Sequence, residues 1–172
     1  SKIKKINDLK QKRILFVDEK STSGYLYPEV YLRKIKLPQS SFKSVEFSGN
    51  HAGSVEALEN KKADVIAVFA DDEKGTQGAW TRFGKIKSVK YKVLWVSEPI
   101  PNDPFVVRQA FYDRNPKLTH EIMYHMIEIQ NESTPQSLLH EILGHGELMP
   151  ATQKQYDPVR EMSDAFEVKV KL

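Results

Sequence analysis

The sequence contains no cysteine, which excludes a disulfide framework and thiolate chemistry. No apolar run approaches the roughly 18–20 residues that a membrane-spanning helix needs. An excess of one charge is also missing, because 26 basic and 23 acidic residues leave a net charge of only +3. This balance argues against a nucleic-acid partner. What remains is a globular protein of 172 residues, of which an ordinary 40% are hydrophobic.

The segment Ile14–Tyr25, ILFVDEKSTSGY, passes from an apolar β-rich run into a polar turn and then into helical spacing. The turn ends in Ser21, Thr22 and Ser23, followed by Gly24. The first N–H groups of a helix lack internal partners, and the helix dipole is positive there. Hydroxyls add donors, and glycine lets a ligand approach the backbone, so the pattern is typical of an anion site. The alternative is that Thr22 or Ser23 only caps the helix.

The first hundred residues alternate between strand and helix patterns. The predicted strands are Arg13–Val17, Ser44–Phe47, Asp64–Phe69 and Tyr91–Ser97, and the predicted helices between the first three are Ser23–Lys34 and Ser54–Asn60. The run DVIAVF at Asp64–Phe69 is typical of a strand buried on both faces of a parallel sheet. Pro28 requires that the first helix either starts near Tyr27 or kinks there. The βαβαβ order predicts an α/β fold with a mainly parallel sheet and helices on both sides.

The second part of the chain begins after Glu98–Pro104, where three prolines in six residues predict a stiff connector. Beyond it we predict a short strand and three helical segments: Phe105–Arg108, a helix capped by Asn115 with Pro116 first, Leu138–Leu143 and Pro158–Phe166. We therefore divide the chain into an α/β lobe with its hinge (1–102) and a mostly helical part of a second lobe (103–172).

The turns after the first two strands both lie at strand carboxyl ends. In open parallel sheets this edge is where ligands bind, so Ser21–Ser23 and His51 are predicted to face one crevice. The alternative for His51 is an ordinary loop histidine.

Four stretches, in this order and spacing, carry a family resemblance: FVDEKSTSGYLYPEVYL, FSGNHAGSVEALENKKADVIAV, VLWVSEPIPNDPFVVR and MPATQKQYDPVREM. The chain resembles the C-terminal two-thirds of the solute-binding proteins of phosphonate, phosphite and phosphate ABC importers. The resemblance implies a type II periplasmic binding protein, with no enzymatic activity, cofactor or metal. It also implies that the phospho group is held by Ser21, Thr22, Ser23 and His51, that Asp103 meets an amino group or organises the site, and, more weakly, that Asp71 is a second acid.

The family's N-terminal half-lobe has no counterpart in this sequence. One lobe (Arg13–Ser97) is therefore expected to be complete, and Asp103–Leu172 to be half of the other. The apolar surface left over suggests a homodimer. The resemblance further implies a membrane permease as partner and a periplasmic or extracellular location, with a lipid anchor as an option in the full-length protein.

Two other functions compete with this interpretation. The same fold serves as the extracellular sensor domain of signalling receptors. In addition, residues 140–145 spell HEILGH, which is similar to the HExxGH zinc motif of one peptidase family. Its histidines are spaced i, i+5 where HExxH has i, i+4, and only Glu147 or Glu161 offers a third ligand. We predict neither zinc nor peptidase activity.

Overall fold

The computed structural model describes residues 3–131 and 148–166. These residues form two compact units. One holds the described residues up to Ile100 together with those from Asp157 onward, and the other holds those between Pro101 and Tyr156. The sequence-based division at residue 102 assigned the helix after Asp157 to the second part, whereas in the structure that helix belongs to the first unit.

The first unit is built on a three-stranded parallel sheet with the strand order β2-β1-β3. The strands are β1 (Arg13–Phe16), β2 (Ser44–Phe47) and β3 (Val65–Ile66). Both outer strands run parallel to β1, which lies between them. The predicted α/β fold with a parallel sheet is therefore confirmed.

The strand that is buried on both faces is β1. Its residues Ile14, Leu15 and Phe16 are all buried, whichever face of the sheet they occupy. The prediction that Asp64–Phe69 fills this role is wrong, because only Val65–Ile66 pairs, and both residues are half-buried. The position of a strand in the sheet decides how completely it is buried, and β3 lies at the edge.

The helices follow the strand pattern in the first unit and dominate the second. In chain order they are α1 (Tyr27–Lys34), α2 (His51–Glu59), α3 (Ala79–Phe83), α4 (Gln109–Arg114), α5 (Pro116–Asn131) and α6 (Asp157–Ala165). The predicted start of the first regular helix at Tyr27 is confirmed, with Pro28 in the first turn, where its missing N–H removes no intrahelical bond. The prediction for Leu138–Leu143 lies outside the described residues.

The core of the first unit surrounds β1 and continues into an aromatic cluster. Its buried members are Leu9, Ile14, Phe16, Leu32, Leu37 and Phe42. The Tyr25 ring meets Phe16 edge-on at 4.9 Å and Phe166 at 5.4 Å between centroids. The Arg33 guanidinium lies 4.9 Å from the centre of the Phe166 ring. Each large apolar side chain buried in this way contributes about 1.5–3 kcal/mol to the free energy of unfolding.

Residues 91–97 form no strand, contrary to the prediction. Side chains hold this segment instead: the Trp95 ring stacks on Tyr31 at 4.1 Å, and the Tyr91 hydroxyl donates to Glu59 at 2.6 Å. The same Glu59 oxygen accepts the N–H groups of Lys85 and Ile86, both at 2.9 Å. The aromatic side chains of this segment therefore pack on α1 and α2, and among the described residues its backbone joins no ladder.

The second unit contains α4, α5 and the connector that precedes them. The predicted strand Phe105–Arg108 is wrong, because these residues join no backbone ladder in the described part of the chain. Phe105 and Val106 are 65% and 84% exposed, so an apolar composition alone did not secure a partner strand. The predicted start of α5 at Pro116 is confirmed.

An ion pair clips β1 to the start of β3. The Arg13 side chain donates to both Asp64 oxygens, from Nε at 3.1 Å and from Nη2 at 2.9 Å, and its backbone N–H adds a third bond at 2.9 Å. These bonds from Arg13 lower the pKa of Asp64 from 3.8 to about 2. The stabilisation is present above a pH of about 3.8 and is lost as the pH falls towards 2.

We expect Asp64→Asn to lower the free energy of unfolding at neutral pH and to flatten its decline between about pH 4 and pH 2. Urea titrations at stepwise pH measure both effects. Asp164→Asn, at an exposed position on α6, is the matched control. An unchanged acid limb in Asp64→Asn would contradict the assignment.

Candidate functional site

The loops that follow the three strands are joined at one edge of the sheet. The Phe16 carbonyl accepts the Ser48 N–H at 2.9 Å, and the Val17 carbonyl accepts the Gly49 N–H at 2.8 Å. The loop after β3 joins them through the Phe69 N–H, which donates to His51 Nδ1 at 3.4 Å. The carboxyl ends of the three strands are thus linked by hydrogen bonds, and His51 takes part in the link to the loop after β3.

The Ser-Thr-Ser turn is held by its first serine. Ser21 is the N-cap of a π-helical turn, Thr22–Leu26, and its Oγ accepts the Gly24 N–H at 3.0 Å. The Ser21 carbonyl accepts the N–H groups of Tyr25 and Leu26, both at 3.0 Å. The capping role considered for Thr22 or Ser23 is therefore filled by Ser21.

Thr22 and Ser23 keep their donors available. Across the described residues, nothing accepts a hydrogen bond from the N–H or the hydroxyl of either residue, and both side chains are half-exposed. Two backbone N–H groups and two hydroxyls therefore stand at the positive end of the helical segment that continues into α1. Such a set can bind the oxygens of an anion without giving up an internal bond.

Gly24 is required by packing rather than by ligand approach, which corrects the sequence interpretation. A Cβ at this position would lie 2.4 Å from Val17 Cγ2 and 2.8 Å from Ser21 Oγ. The Gly24 carbonyl also accepts the Val17 N–H at 3.1 Å. Glycine therefore lets the turn fold closely back onto the end of β1.

His51 is the first residue of α2, directly after its N-cap Asn50, whose Oδ1 accepts the Gly53 N–H at 2.8 Å. Because His51 Nδ1 accepts the Phe69 N–H, the neutral ring carries its proton on Nε2. Burial lowers the pKa of His51, and the nearby negative charge of Asp18 opposes this shift. The ring is therefore neutral at pH 7 and offers Nε2–H as a donor.

Asp71 forms an ion pair with Arg82, a residue that the sequence analysis did not single out. Arg82 donates to both carboxylate oxygens, from Nε at 3.2 Å and from Nη2 at 2.8 Å. Its guanidinium lies 5.2 Å from the centre of the Phe69 ring. The two partners are 11 positions apart across a loop, a spacing that carries no periodic signal in the sequence.

The remaining predicted ligand residue, Asp103, belongs to the second unit, where its side chain is exposed. Within the described ranges, 3–131 and 148–166, no group of three or more His, Asp or Glu side chains could hold a metal ion. The HEILGH motif lies outside those ranges. No helix in the same ranges is long and apolar enough to cross a membrane.

A family model described as "ABC transporter, phosphonate, periplasmic substrate-binding protein" matches residues 1–156. The chain belongs to this family. It is 27% identical over 168 residues to the "Phosphonates-binding periplasmic protein" of Escherichia coli (strain K12), covering 95% of this chain and 47% of the relative. A solved structure, PhnD1 from Prochlorococcus marinus (MIT 9301) in complex with methylphosphonate, superposes with a TM-score of 0.64 at 18% identity. That superposition covers 93% of this chain and 58% of PhnD1.

These similarities confirm the predicted fold, the absence of enzymatic activity in the family and its periplasmic location. The fold is that of a periplasmic binding protein, and the family consists of substrate-binding proteins, which are not enzymes. The family is periplasmic by description. The chain spans about half the length of the proteins it matches, at 47% and 58%.

The packing of Gly24 leads to a test of the turn. We expect Gly24→Ala to destabilise the protein by about 1–3 kcal/mol, the usual range for an overpacked site, because the new methyl group displaces Val17. Gly53→Ala is the control, since its Cβ would approach no atom closer than the Ser48 carbonyl oxygen at 3.3 Å and the Asn50 Oδ1 at 3.4 Å, and a helix favours alanine. Thermal unfolding of both variants measures the difference, and equal melting temperatures would contradict the close packing of the turn.

The environment of His51 leads to a second test. NMR titration should place the pKa of His51 below its ordinary value of 6.5, because burial disfavours the imidazolium. The unfolded chain then binds the proton more tightly, so the free energy of unfolding decreases as the pH falls through about 6.5. His51→Gln assigns the resonance and should remove this decrease. A value at or above that of the urea-unfolded protein would contradict the burial of the ring.

Proposed function

We propose that this chain forms part of the phosphonate-binding component of an ABC importer and holds the phospho group of its ligand at the Ser21–Ser23 turn. The observation that carries the proposal is the set of available donors on Thr22 and Ser23, at the sheet edge that also presents His51. Membership of a phosphonate substrate-binding family supplies the ligand class.

The chemistry of the turn suits a tetrahedral oxyanion. Hydrogen bonds to a charged acceptor are roughly twice as strong as neutral ones, so the N–H groups and hydroxyls of Thr22 and Ser23 gain most when they meet phospho oxygens. The positive end of the helical segment adds a favourable field. A neutral His51 contributes one further donor through Nε2 without the cost of holding a buried cation.

The relatives support the same ligand class. One is named for binding phosphonates, and the other was solved with methylphosphonate. We accordingly propose phosphonate, phosphite or phosphate as the ligand, a membrane permease as the partner and the periplasm as the location. We retain Asp103 as a predicted ligand residue. The transporter role is favoured over a receptor sensor because the family is described as part of an ABC transporter. The homodimer and the lipid anchor stay predictions.

The structure allows capping and ligand binding to be separated by mutation. Thr22→Val and Ser23→Ala remove a hydroxyl with no internal partner, so each should weaken methylphosphonate binding by about 1–3 kcal/mol while the melting temperature stays nearly constant. Ser21→Ala removes the cap and should lower stability by about 1 kcal/mol. Calorimetric titration and differential scanning calorimetry of the complete gene product measure the two effects. Unchanged affinity in both Thr22→Val and Ser23→Ala would place the site elsewhere.

A further inference from the structure

The loop after β3 links a cation to His51, one of the residues of the proposed anion site. The Phe69 ring contacts both a neutral and a charged group: the His51 ring meets it edge-on at 4.8 Å between centroids, and the Arg82 guanidinium lies 5.2 Å from its centre. Since the Phe69 N–H also bonds to His51 Nδ1, one residue links His51 to Arg82. Arg82 therefore belongs to the same cluster as Phe69 and His51, which we call the Phe69 corner.

The loop itself fixes the pairing of Arg82 with Asp71. The Asp71 N–H donates to the Gln77 carbonyl at 2.9 Å, and the Ala79 N–H donates to the Phe69 carbonyl at 3.2 Å. These bonds close the loop, so that Arg82 on α3 faces the Asp71 carboxylate. Both oxygens of that carboxylate are then taken by one guanidinium, the geometry in which arginine binds a carboxylate most specifically.

The other carboxylates near the carboxyl ends of the strands do not pair with Arg82. Asp72 is used by its own loop, where it accepts the N–H groups of Lys74, Thr76 and Gln77. Asp18 accepts the Lys20 N–H at 2.8 Å within the first turn. Glu19 and Glu73 are exposed, as Asp71 is, but among the described residues neither of them forms an ion pair. Asp71 is thus the acid paired with the cation that contacts Phe69, and Arg82 cancels its charge. The other nearby acid, Asp18, acts on His51.

We propose that Arg82 is a specificity-determining residue, which neutralises Asp71 and so selects phospho ligands whose fourth substituent is uncharged. The inference rests on the proposed function and refines its ligand class. A ligand ammonium near this corner would have to displace Arg82 from Asp71, and the released guanidinium would then repel it. A hydrogen, a hydroxyl or a methyl group makes no such demand. Methylphosphonate, phosphite and phosphate therefore fit the corner better than an aminoalkylphosphonate.

The test compares methylphosphonate with 2-aminoethylphosphonate by calorimetric titration of the complete gene product. The wild type should bind methylphosphonate about tenfold or more tightly than 2-aminoethylphosphonate, a difference of about 1.4 kcal/mol. Arg82→Gln frees the Asp71 carboxylate and should shift this ratio towards the amino ligand by about tenfold. The double variant Arg82→Gln with Asp71→Asn should return the ratio to that of the wild type.

Arg82→Lys is the matched control, because it keeps the positive charge and should keep the preference of the wild type. Both members of the ion pair are partly exposed, so the variants are expected to fold, and far-UV circular dichroism checks this. A wild type that binds both ligands equally, or an unchanged ratio in Arg82→Gln, would overturn the role of Arg82. Absence of binding to methylphosphonate, phosphite and phosphate alike would instead overturn the proposed function, and this inference with it.

Discussion

The parallel pairing of β1 on both of its edges is the constraint on which the rest of the first unit depends. A central strand offers its backbone to two neighbours and both faces to the core, and this explains why Ile14, Leu15 and Phe16 are all buried. At its carboxyl end, the carbonyls of Phe16 and Val17 accept hydrogen bonds from Ser48 and Gly49, in the turn that leads to α2. The positions of the Ser21–Ser23 turn and of His51 therefore both follow from where this strand ends.

Local patterns predicted several elements with the correct boundaries. β2, the start of α1 at Tyr27 and the start of α5 at Pro116 follow from periodicity and from the proline rule. The segments 64–69, 91–97 and 105–108 were predicted less well, because an apolar run does not specify what covers it. Tyr91 and Trp95 find side-chain partners rather than a ladder, and only the tertiary structure decides between these outcomes.

The candidate site was also predicted only in part. Residue types alone pointed to Ser21, Thr22 and Ser23, since hydroxyls at a strand-to-helix turn suit an anion. Which serine caps the turn depends on the bond from the Gly24 N–H to Ser21 Oγ, and the sequence does not specify it. The partner of Asp71 was missed for a similar reason, because the loop that brings Arg82 to it is closed by backbone bonds that composition does not reveal.

The clip between Arg13 and Asp64 has a consequence for the order of folding. It joins residues 51 positions apart, so β1 remains without its β3 neighbour until the chain beyond residue 64 has been made. Until then the most apolar strand of the sheet has one partner at most and exposes its edge. Parallel pairings of this kind must close long loops before their contacts are gained, which makes them slow to form and open to aggregation. The time between synthesis of β1 and arrival of β3 is therefore the interval in which this unit most needs protection.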